Sequence, residues 1–263
     1  MTGDIFQYSE EGSNFAKKNG YIVNGIWLPR VTSILEIVAK PGLLRYYAQH
    51  KNFMAAQESL VKAASRGKKI HDACENILLN KKNLKFDDDI KETMDKFREW
   101  VEKKNIEVIE IETRVFDREK YFFAGTMDIL AKVDNELGII DIKTGSSIYN
   151  GYSLQTAAYL NAYNQGRKQQ LQAQKRWILR LDQYEKCVHC GAKSREREGE
   201  KRITGGKKYC KHEFQPKSAD LEFKEQKNFA HDFEAFLHAK ELWEWENKGS
   251  LRRINNYPKN FSL

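Results

Sequence analysis

Residues 122–147 read FFAGTMDILAKVDNELGIIDIKTGSS, and this stretch decides which fold the sequence favours. Its apolar, β-branched composition predicts one strand over 121–133 and a second over 137–143. An alternating segment over 107–116 predicts another strand immediately before them. Apolar periodicity predicts helices on both sides of this meander. We therefore expect an α/β (α+β) fold with a central mixed β-sheet flanked by helices.

The flanking segments extend this pattern. Residues 21–29 are typical of a hairpin with an Asn-Gly turn, and 176–181 of a further strand with a hairpin partner at 221–223. Helices are expected over 31–39, 43–50, 55–79, 86–104, 152–164 and 227–246. The expected organisation is a hairpin and helical region over 1–105, a core over 106–181 and 221–247, an insertion over 182–220 and a tail over 248–263.

Two charged residues interrupt the second apolar strand. Asp141 and Lys143 are two residues apart and therefore point to the same face of the sheet. Burying them is costly unless they are paired or bound to metal, although Asp-x-Lys alone is often an ordinary surface ion pair. Asp128 is expected to end the preceding strand after a Gly-Thr turn and to approach Asp141. Two converging carboxylates, with the backbone carbonyl of Ile142, predict an oxygen-rich site for Mg²⁺ or Mn²⁺.

Further motifs stand in a fixed order around these residues. GIWLPRVTSIL (25–35) and RGKKIHDACENIL (66–78) come first, followed by GTMD (125–128), DIKTG (141–145) and a Gln155-x-x-x-Tyr159 pair. Over roughly residues 20–165, this set resembles the PD-(D/E)XK nuclease superfamily and its RecB-like exonuclease branch. It is similar to mitochondrial genome maintenance exonucleases, their phage relatives and CRISPR-associated RecB-like exonucleases.

The resemblance implies a restriction-endonuclease-like core and a metal-dependent active site. It assigns Asp128 and Asp141 as metal carboxylates, Lys143 as the catalytic lysine and His71 as a further metal ligand. Bound metal would acidify a water and stabilise charge on phosphorus, and the lysine would orient or deprotonate that water.

Four further residues have weaker assignments. Glu112 stands where the family has an acidic residue on its first strand, and Glu110 is the alternative on the same strand face. Gln155 and Tyr159 share a helix face and would place DNA or the lysine. Glu75 follows His71 by one helical turn and either supports the metal ligands or faces solvent.

Three of the four cysteines occur in the predicted insertion. Cys187-x-x-Cys190 followed by Cys210 and His212 predicts a structural Zn²⁺ site, with His189 as an alternative ligand. An iron-sulfur cluster is the main alternative, because some RecB-like nucleases hold one with a cysteine before the core, here Cys74. Cysteines without metal remain a third alternative.

The composition is compatible with a DNA partner and not with a membrane protein. The 263 residues carry a net charge of +8, with 31% charged residues and mean hydropathy −0.73. Between Asn164 and His212 there are 14 Lys/Arg against 5 Asp/Glu, which predicts phosphate contacts or a solvated basic loop. No segment has the roughly 18 apolar residues that span a bilayer. The N-terminus, 1–12, is polar and acidic, which is atypical of a secretory signal, so a cytoplasmic protein of phage or prokaryotic origin is expected.

These features favour an exonuclease acting on single-stranded DNA or DNA ends in replication, recombination or repair. An endonuclease of the same superfamily, expected to dimerise, is one alternative. A non-catalytic DNA-binding subunit derived from a nuclease is another, but such relatives commonly lose the residues that Asp128, Asp141 and Lys143 match here.

Overall fold

The computed structural model describes residues 10–48, 50–197 and 200–258. Most of the polar N-terminal segment 1–12 and the end of the tail lie outside these residues. The helices are α1 (Glu10–Asn19), α2 (Val31–Ile34), α3 (Pro41–Ala48), α4 (Phe53–Leu78), α5 (Lys91–Lys103), α6 (Asn150–Asn164), α7 (Phe229–Glu246) and α8 (Lys248–Leu251). The strands are β1 (Gly20–Val23), β2 (Ile26–Pro29), β3 (Ile106–Asp117), β4 (Phe123–Val133), β5 (Glu136–Thr144), β6 (Lys175–Lys186), β7 (Lys193–Arg197), β8 (Glu200–Thr204) and β9 (Ser218–Glu225).

The main sheet is mixed, as the sequence predicts. β3, β4 and β5 form an antiparallel meander, and α6 then connects β5 to the parallel strand β6. β9 pairs antiparallel with the other edge of β6, so the expected hairpin partner is confirmed and is longer than 221–223. β1 and β2 form the expected hairpin, and Asn24 and Gly25 both have positive φ, as its tight turn requires.

Helices cover both faces of the sheet. Ile129, Ile140 and Ile142 pack with α4 and α5 in one core, whereas Leu130 and Ile139 pack with α6 and α7 in the other. The alternation of side chains along each strand explains this division, because successive residues point to opposite faces. The predicted central sheet flanked by helices is therefore confirmed. Among the described residues, no helix is long and apolar enough to cross a membrane.

β4 differs from the sequence expectation at the GTMD motif. The prediction that Asp128 ends its strand after a Gly-Thr turn is wrong, because β4 continues without a break to Val133. Gly125 lies inside the strand, where its missing side chain makes room for the ring of Tyr159: a Cβ there would lie 2.3 Å from Cε1. The glycine is therefore needed for close packing against a helix and not for a turn.

The cysteine-rich segment interrupts the β6–β9 hairpin. β6 extends to Lys186 and β9 begins at Ser218, so the irregular part is shorter than the predicted 182–220. β7 and β8 form a hairpin within it, and β7 pairs with the last two residues of β6. Arg195 on β7 makes a two-pronged, buried ion pair with Asp182 on β6 at 2.9 and 2.7 Å, which attaches the hairpin to the sheet.

Three arginines of the basic segment 164–212 are not free to bind phosphate. Arg176 pairs with Asp232 at 2.8 Å, and Arg180 pairs with Asp220 at 2.6 Å. Both guanidinium groups are buried, as is that of Arg195. A charge count along the sequence does not separate such structural arginines from exposed ones.

Candidate active site

The candidate site lies where β4 and β5 separate. Their pairing runs from Val133↔Glu136 to Ile129↔Ile140 and does not continue to Asp128 and Asp141. In place of the next ladder bond, the backbone N–H of Ile142 donates to Asp128 Oδ2 at 2.7 Å. The Asp128 carboxylate thus pairs with a strand N–H and lies where the pairing of β4 and β5 has ended.

Three potential metal ligands meet beside this gap. His71 on α4, Glu112 on β3 and Asp128 on β4 each place a ligand atom within 4.8 Å of the others. His71 Nδ1 lies 3.7 Å from Asp128 Oδ2. His71 and Glu112 border an open cleft of about 630 Å³ that is also lined by Asp72 and Glu75.

Glu112 reaches this position through an unusual backbone conformation. Its φ of +49° lies in the left-handed region, which non-glycine residues rarely adopt. β3 is also irregular just before this point, with a register shift between Val108 and Glu110. Of the two acidic residues that the sequence offers here, Glu112 joins the group of potential ligands among the described residues, whereas Glu110 pairs opposite Leu130 and does not. Left-handed residues of this kind concentrate at functional sites.

Asp141 and Lys143 form the second part of the site. Lys143 Nζ lies 2.6 Å from Asp141 Oδ2, and Gln155 Nε2 on α6 donates to Asp141 Oδ1 at 3.1 Å. Asp141 is completely buried, and within the described part of the chain its Oδ2 accepts no hydrogen bond of regular geometry. Gln155 also donates to the hydroxyl of Tyr159 at 3.0 Å, so both predicted α6 residues face the site.

The sequence reasoning missed Tyr152. Its ring centroid lies 5.0 Å from Lys143 Nζ, and Tyr149 packs edge-on against it. The signal was its position three residues before Gln155, on the α6 face that the Gln-x-x-x-Tyr pair already identified.

Burial and mutual repulsion change the charges of the site. Burial raises the pKa of Asp141 to about 6 despite Lys143, and nearby Asp128 adds to the shift. Burial together with Asp128 and Glu75 raises the pKa of Glu112 to about 7. The pKa of Asp128 is also raised, mainly by burial. Neighbouring carboxylates repel each other when both are ionised, and a bound divalent cation offsets that repulsion.

The pKa values of the two basic groups, His71 and Lys143, shift in opposite directions. Burial and the charge of Lys143 lower the pKa of His71, which keeps the imidazole neutral, the form that binds metal. Burial lowers the pKa of Lys143, but Asp141 and Asp128 outweigh it and the pKa is raised overall. Lys143 is therefore a cation in the metal-free site.

Three of the candidate ligands fit a hard divalent cation together, and the fourth lies apart from them. Glu112 and Asp128 offer carboxylate oxygens and His71 offers a nitrogen, whereas Asp141 does not join their 4.8 Å group and is held by Lys143 and Gln155. Mg²⁺ and Mn²⁺ commonly bind through one or two carboxylates and keep waters, so this set is sufficient.

The predicted cysteine ligands form a separate cluster. Cys187, Cys190, Cys210 and His212 place their ligand atoms within 4.8 Å of one another. Cys187 Sγ and Cys210 Sγ are 3.9 Å apart, close to the roughly 3.8 Å that two 2.3 Å Zn–S bonds give in a tetrahedron. Burial opposes ionisation of Cys187, but His212 and three backbone N–H groups lower its pKa to about 5.

The two alternative ligands lie elsewhere. His189 contacts Glu213 at 3.1 Å and is not part of the cluster. Cys74 is completely buried on α4, in the core beneath the sheet, and burial raises the pKa of its thiol. Among the described residues, the group that could hold a metal here consists of three cysteines and one histidine.

The model of the PD-(D/E)XK nuclease superfamily matches residues 81–256, about two thirds of the chain. The chain belongs to this superfamily. The match includes β3–β6, Asp128, Asp141 and Lys143, and it begins after His71. The mixed α/β structure agrees with the restriction-endonuclease-like fold of the superfamily, which associates this chain with metal-dependent nuclease activity.

Two further comparisons add little. A solved crystal structure of a protein named SSO0001 is 15% identical, and the match covers 87% of this chain and 86% of that one, with a TM-score of 0.33. No curated protein matches the chain.

Proposed function

We propose that this chain is a Mg²⁺- or Mn²⁺-dependent exonuclease of the RecB-like branch that hydrolyses single-stranded DNA or DNA ends. The observation that carries the proposal is the juxtaposition of His71, Glu112 and Asp128 with the Asp141–Lys143 pair at the open edge of the sheet. A histidine on the helix before the core, together with these carboxylates, favours the exonuclease branch over an endonuclease.

Each residue has a role that follows from its contacts. A bound divalent cation would supply a water of lowered pKa and charge neutralisation at the scissile phosphate. Glu112, Asp128 and neutral His71 would hold that cation. Lys143 points its ammonium to the same edge and stabilises charge that develops on the phosphate oxygens.

The remaining residues position this lysine. Asp141 holds Nζ at 2.6 Å, and Gln155 fixes the other oxygen of the same carboxylate. The buried hydroxyl of Tyr159 accepts from Gln155 and so limits its rotation. The Tyr152 ring adds a cation–π contact that keeps Nζ away from bulk water.

Digestion of end-labelled single-stranded DNA in Mg²⁺ or Mn²⁺ tests the activity. We expect linear DNA to be shortened from its ends and circular single-stranded DNA to remain intact. Cutting of the circle would replace the exonuclease proposal with an endonuclease, and absence of any cutting in either metal would favour the non-catalytic DNA-binding subunit.

Two variants test the roles of the site residues. Lys143→Met should reduce cleavage by about 10²- to 10⁴-fold while Mn²⁺ still binds. Asp128→Asn retains an acceptor for the Ile142 N–H but loses a charge, so it should weaken Mn²⁺ binding as well as cleavage. Lys132→Met is the matched control, because this lysine near the end of β4 pairs with exposed Glu107 near the start of β3. Cleavage by Lys143→Met at the parental rate would contradict the mechanism.

We also propose that Cys187, Cys190, Cys210 and His212 bind one structural Zn²⁺. Three soft sulfur ligands and one imidazole suit Zn²⁺, and the spacing of the Sγ atoms suits a tetrahedron. Elemental analysis of the purified protein should give one zinc per chain, and Cys210→Ser should lose it. Iron with acid-labile sulfide would instead establish the cluster alternative, and Cys74→Ser should affect neither metal in the zinc case.

A further inference from the structure

The loop over 207–211, Lys-Lys-Tyr-Cys-Lys, is an exposed surface with no role in the proposed active site. The side chain of Tyr209 is 90% exposed, the largest exposed fraction given for any large hydrophobic residue of the described chain. The ring is an amphipathic aromatic left open to solvent, so it is available to stack on a binding partner.

Three lysines lie within two residues of Tyr209 in the sequence. Lys207, Lys208 and Lys211 are exposed, and within the described part of the chain none of their ammonium groups makes an ion pair. The ammonium of Lys208 lies 5.7 Å from the centroid of the Tyr209 ring. By contrast, Lys201 on β8 and Lys217 before β9 are paired with Glu185 and Glu196, both at 3.4 Å.

The loop is held rigidly despite its exposure. Cys210 places its Sγ in the cysteine–histidine cluster, and its backbone N–H donates to the carbonyl of Lys207 at 3.1 Å. Gly206, with φ +76°, approaches so closely that a Cβ there would lie 2.7 Å from Cys190 Sγ. A fixed backbone reduces the entropy that a ligand must remove when it binds.

We propose that the 207–211 loop binds single-stranded nucleic acid, with a base stacked on the Tyr209 ring and phosphates beside Lys207, Lys208 and Lys211. An exposed aromatic between unpaired cations is complementary to a single strand, whose bases are free to stack and whose backbone is anionic. A duplex does not present a free base face to the ring. This inference deepens the proposed function, because it names a substrate-binding element outside the catalytic site.

Binding of a labelled oligothymidylate of about 20 nucleotides tests the loop separately from catalysis. All proteins carry Lys143→Ala so that the DNA stays intact, and no chelator is present so that the cluster metal is retained. Tyr209→Ala should raise Kd by about 5- to 100-fold, whereas Tyr209→Phe should bind like the parent. Replacing the three lysines with Gln should reduce the slope of log Kd against log salt by about 2.

The controls separate this loop from a general loss of charge or structure. Lys201→Gln and Lys217→Gln remove paired lysines from the same insertion, and each should change Kd by less than one third of the change in log Kd that the triple loop replacement causes. Metal content and melting temperature must match the parent for every variant that is scored. The proposal would be overturned by unchanged binding in Tyr209→Ala, or by an equal loss of binding in Tyr209→Phe. It would also be overturned if polyglutamate bound with the same dependence on Tyr209. Because this assay measures binding by Lys143→Ala proteins and not cleavage, failure here leaves the nuclease proposal standing, and failure of cleavage in the parent leaves this one standing.

Discussion

Gly125→Ala is expected to disturb the candidate active site by crowding Tyr159, which is linked to Lys143 through three successive contacts. The added Cβ would lie 2.3 Å from Cε1 of Tyr159, whereas ordinary contact requires about 3.4 Å or more. The Tyr159 ring is almost fully buried, so it cannot move aside freely. A displacement of about 1 Å is needed, and overpacking of this kind costs about 1–3 kcal/mol.

The same displacement should reduce activity. The Tyr159 hydroxyl accepts from Gln155, which in turn donates to Asp141 beside Lys143. Moving the ring breaks or lengthens the first of these bonds and loosens the carboxylate that holds the lysine. We expect kcat to fall by about 10- to 100-fold, because errors of about 1 Å in a positioning group have effects of this size.

Urea unfolding and single-turnover cleavage of labelled DNA measure the two effects. Gly151→Ala is the matched control, since this α6 glycine has open space around its Cβ position and should gain about 0.5–1 kcal/mol of stability from alanine. In a Tyr159→Ala background, Gly125→Ala should cost much less, because the crowded ring is absent. A Gly125→Ala protein as stable and active as the parent would refute this packing argument.

Three further predictions follow from the charges of the site and the insertion. Mn²⁺ affinity should weaken as pH falls from about 8 to about 6, because Glu112, with its pKa raised to about 7, must lose its proton to bind; calorimetric titration that finds no pH dependence would contradict this. Arg195→Met should destabilise the fold by about 3 kcal/mol in urea unfolding, because it leaves Asp182 buried beside only a distant Arg180; an effect below about 1 kcal/mol would show that the pair is dispensable. Tyr152→Leu should lower kcat about 2- to 5-fold through loss of the cation–π contact with Lys143, whereas Tyr152→Phe should match the parent in the same cleavage assay.

The sequence predicted the regular parts of this structure because they follow from periodicity. The strand meander, the later strand pair and the amphipathic helices all repeat apolar residues at their own spacing. A special role for Asp141 and Lys143 was also predictable from the local pattern alone, because two charged residues inside an apolar strand require an explanation.

The irregular parts were not predictable, because they depend on contacts between distant segments. The separation of β4 from β5 at Asp128 and the left-handed backbone of Glu112 break the period-two rule that strand predictions use. Gly125 was read as a turn residue because its partner, the Tyr159 ring, comes from a helix more than thirty positions later. The buried pairing of Arg180 was likewise hidden, because its acidic partners lie on β9.

The continuous path of β6 has a consequence for how this chain could change over evolutionary time. Tyr184 on β6 faces Ser218 on β9, so a two-residue turn could join the two strands directly without altering their register. The cysteine-rich segment is thus an elaborated hairpin turn, and lineages could enlarge, shrink or replace it without changing the strand pairing of the sheet. Removing this segment would also remove Arg195, the partner of the buried Asp182 carboxylate. A neutral residue would then be needed in place of Asp182.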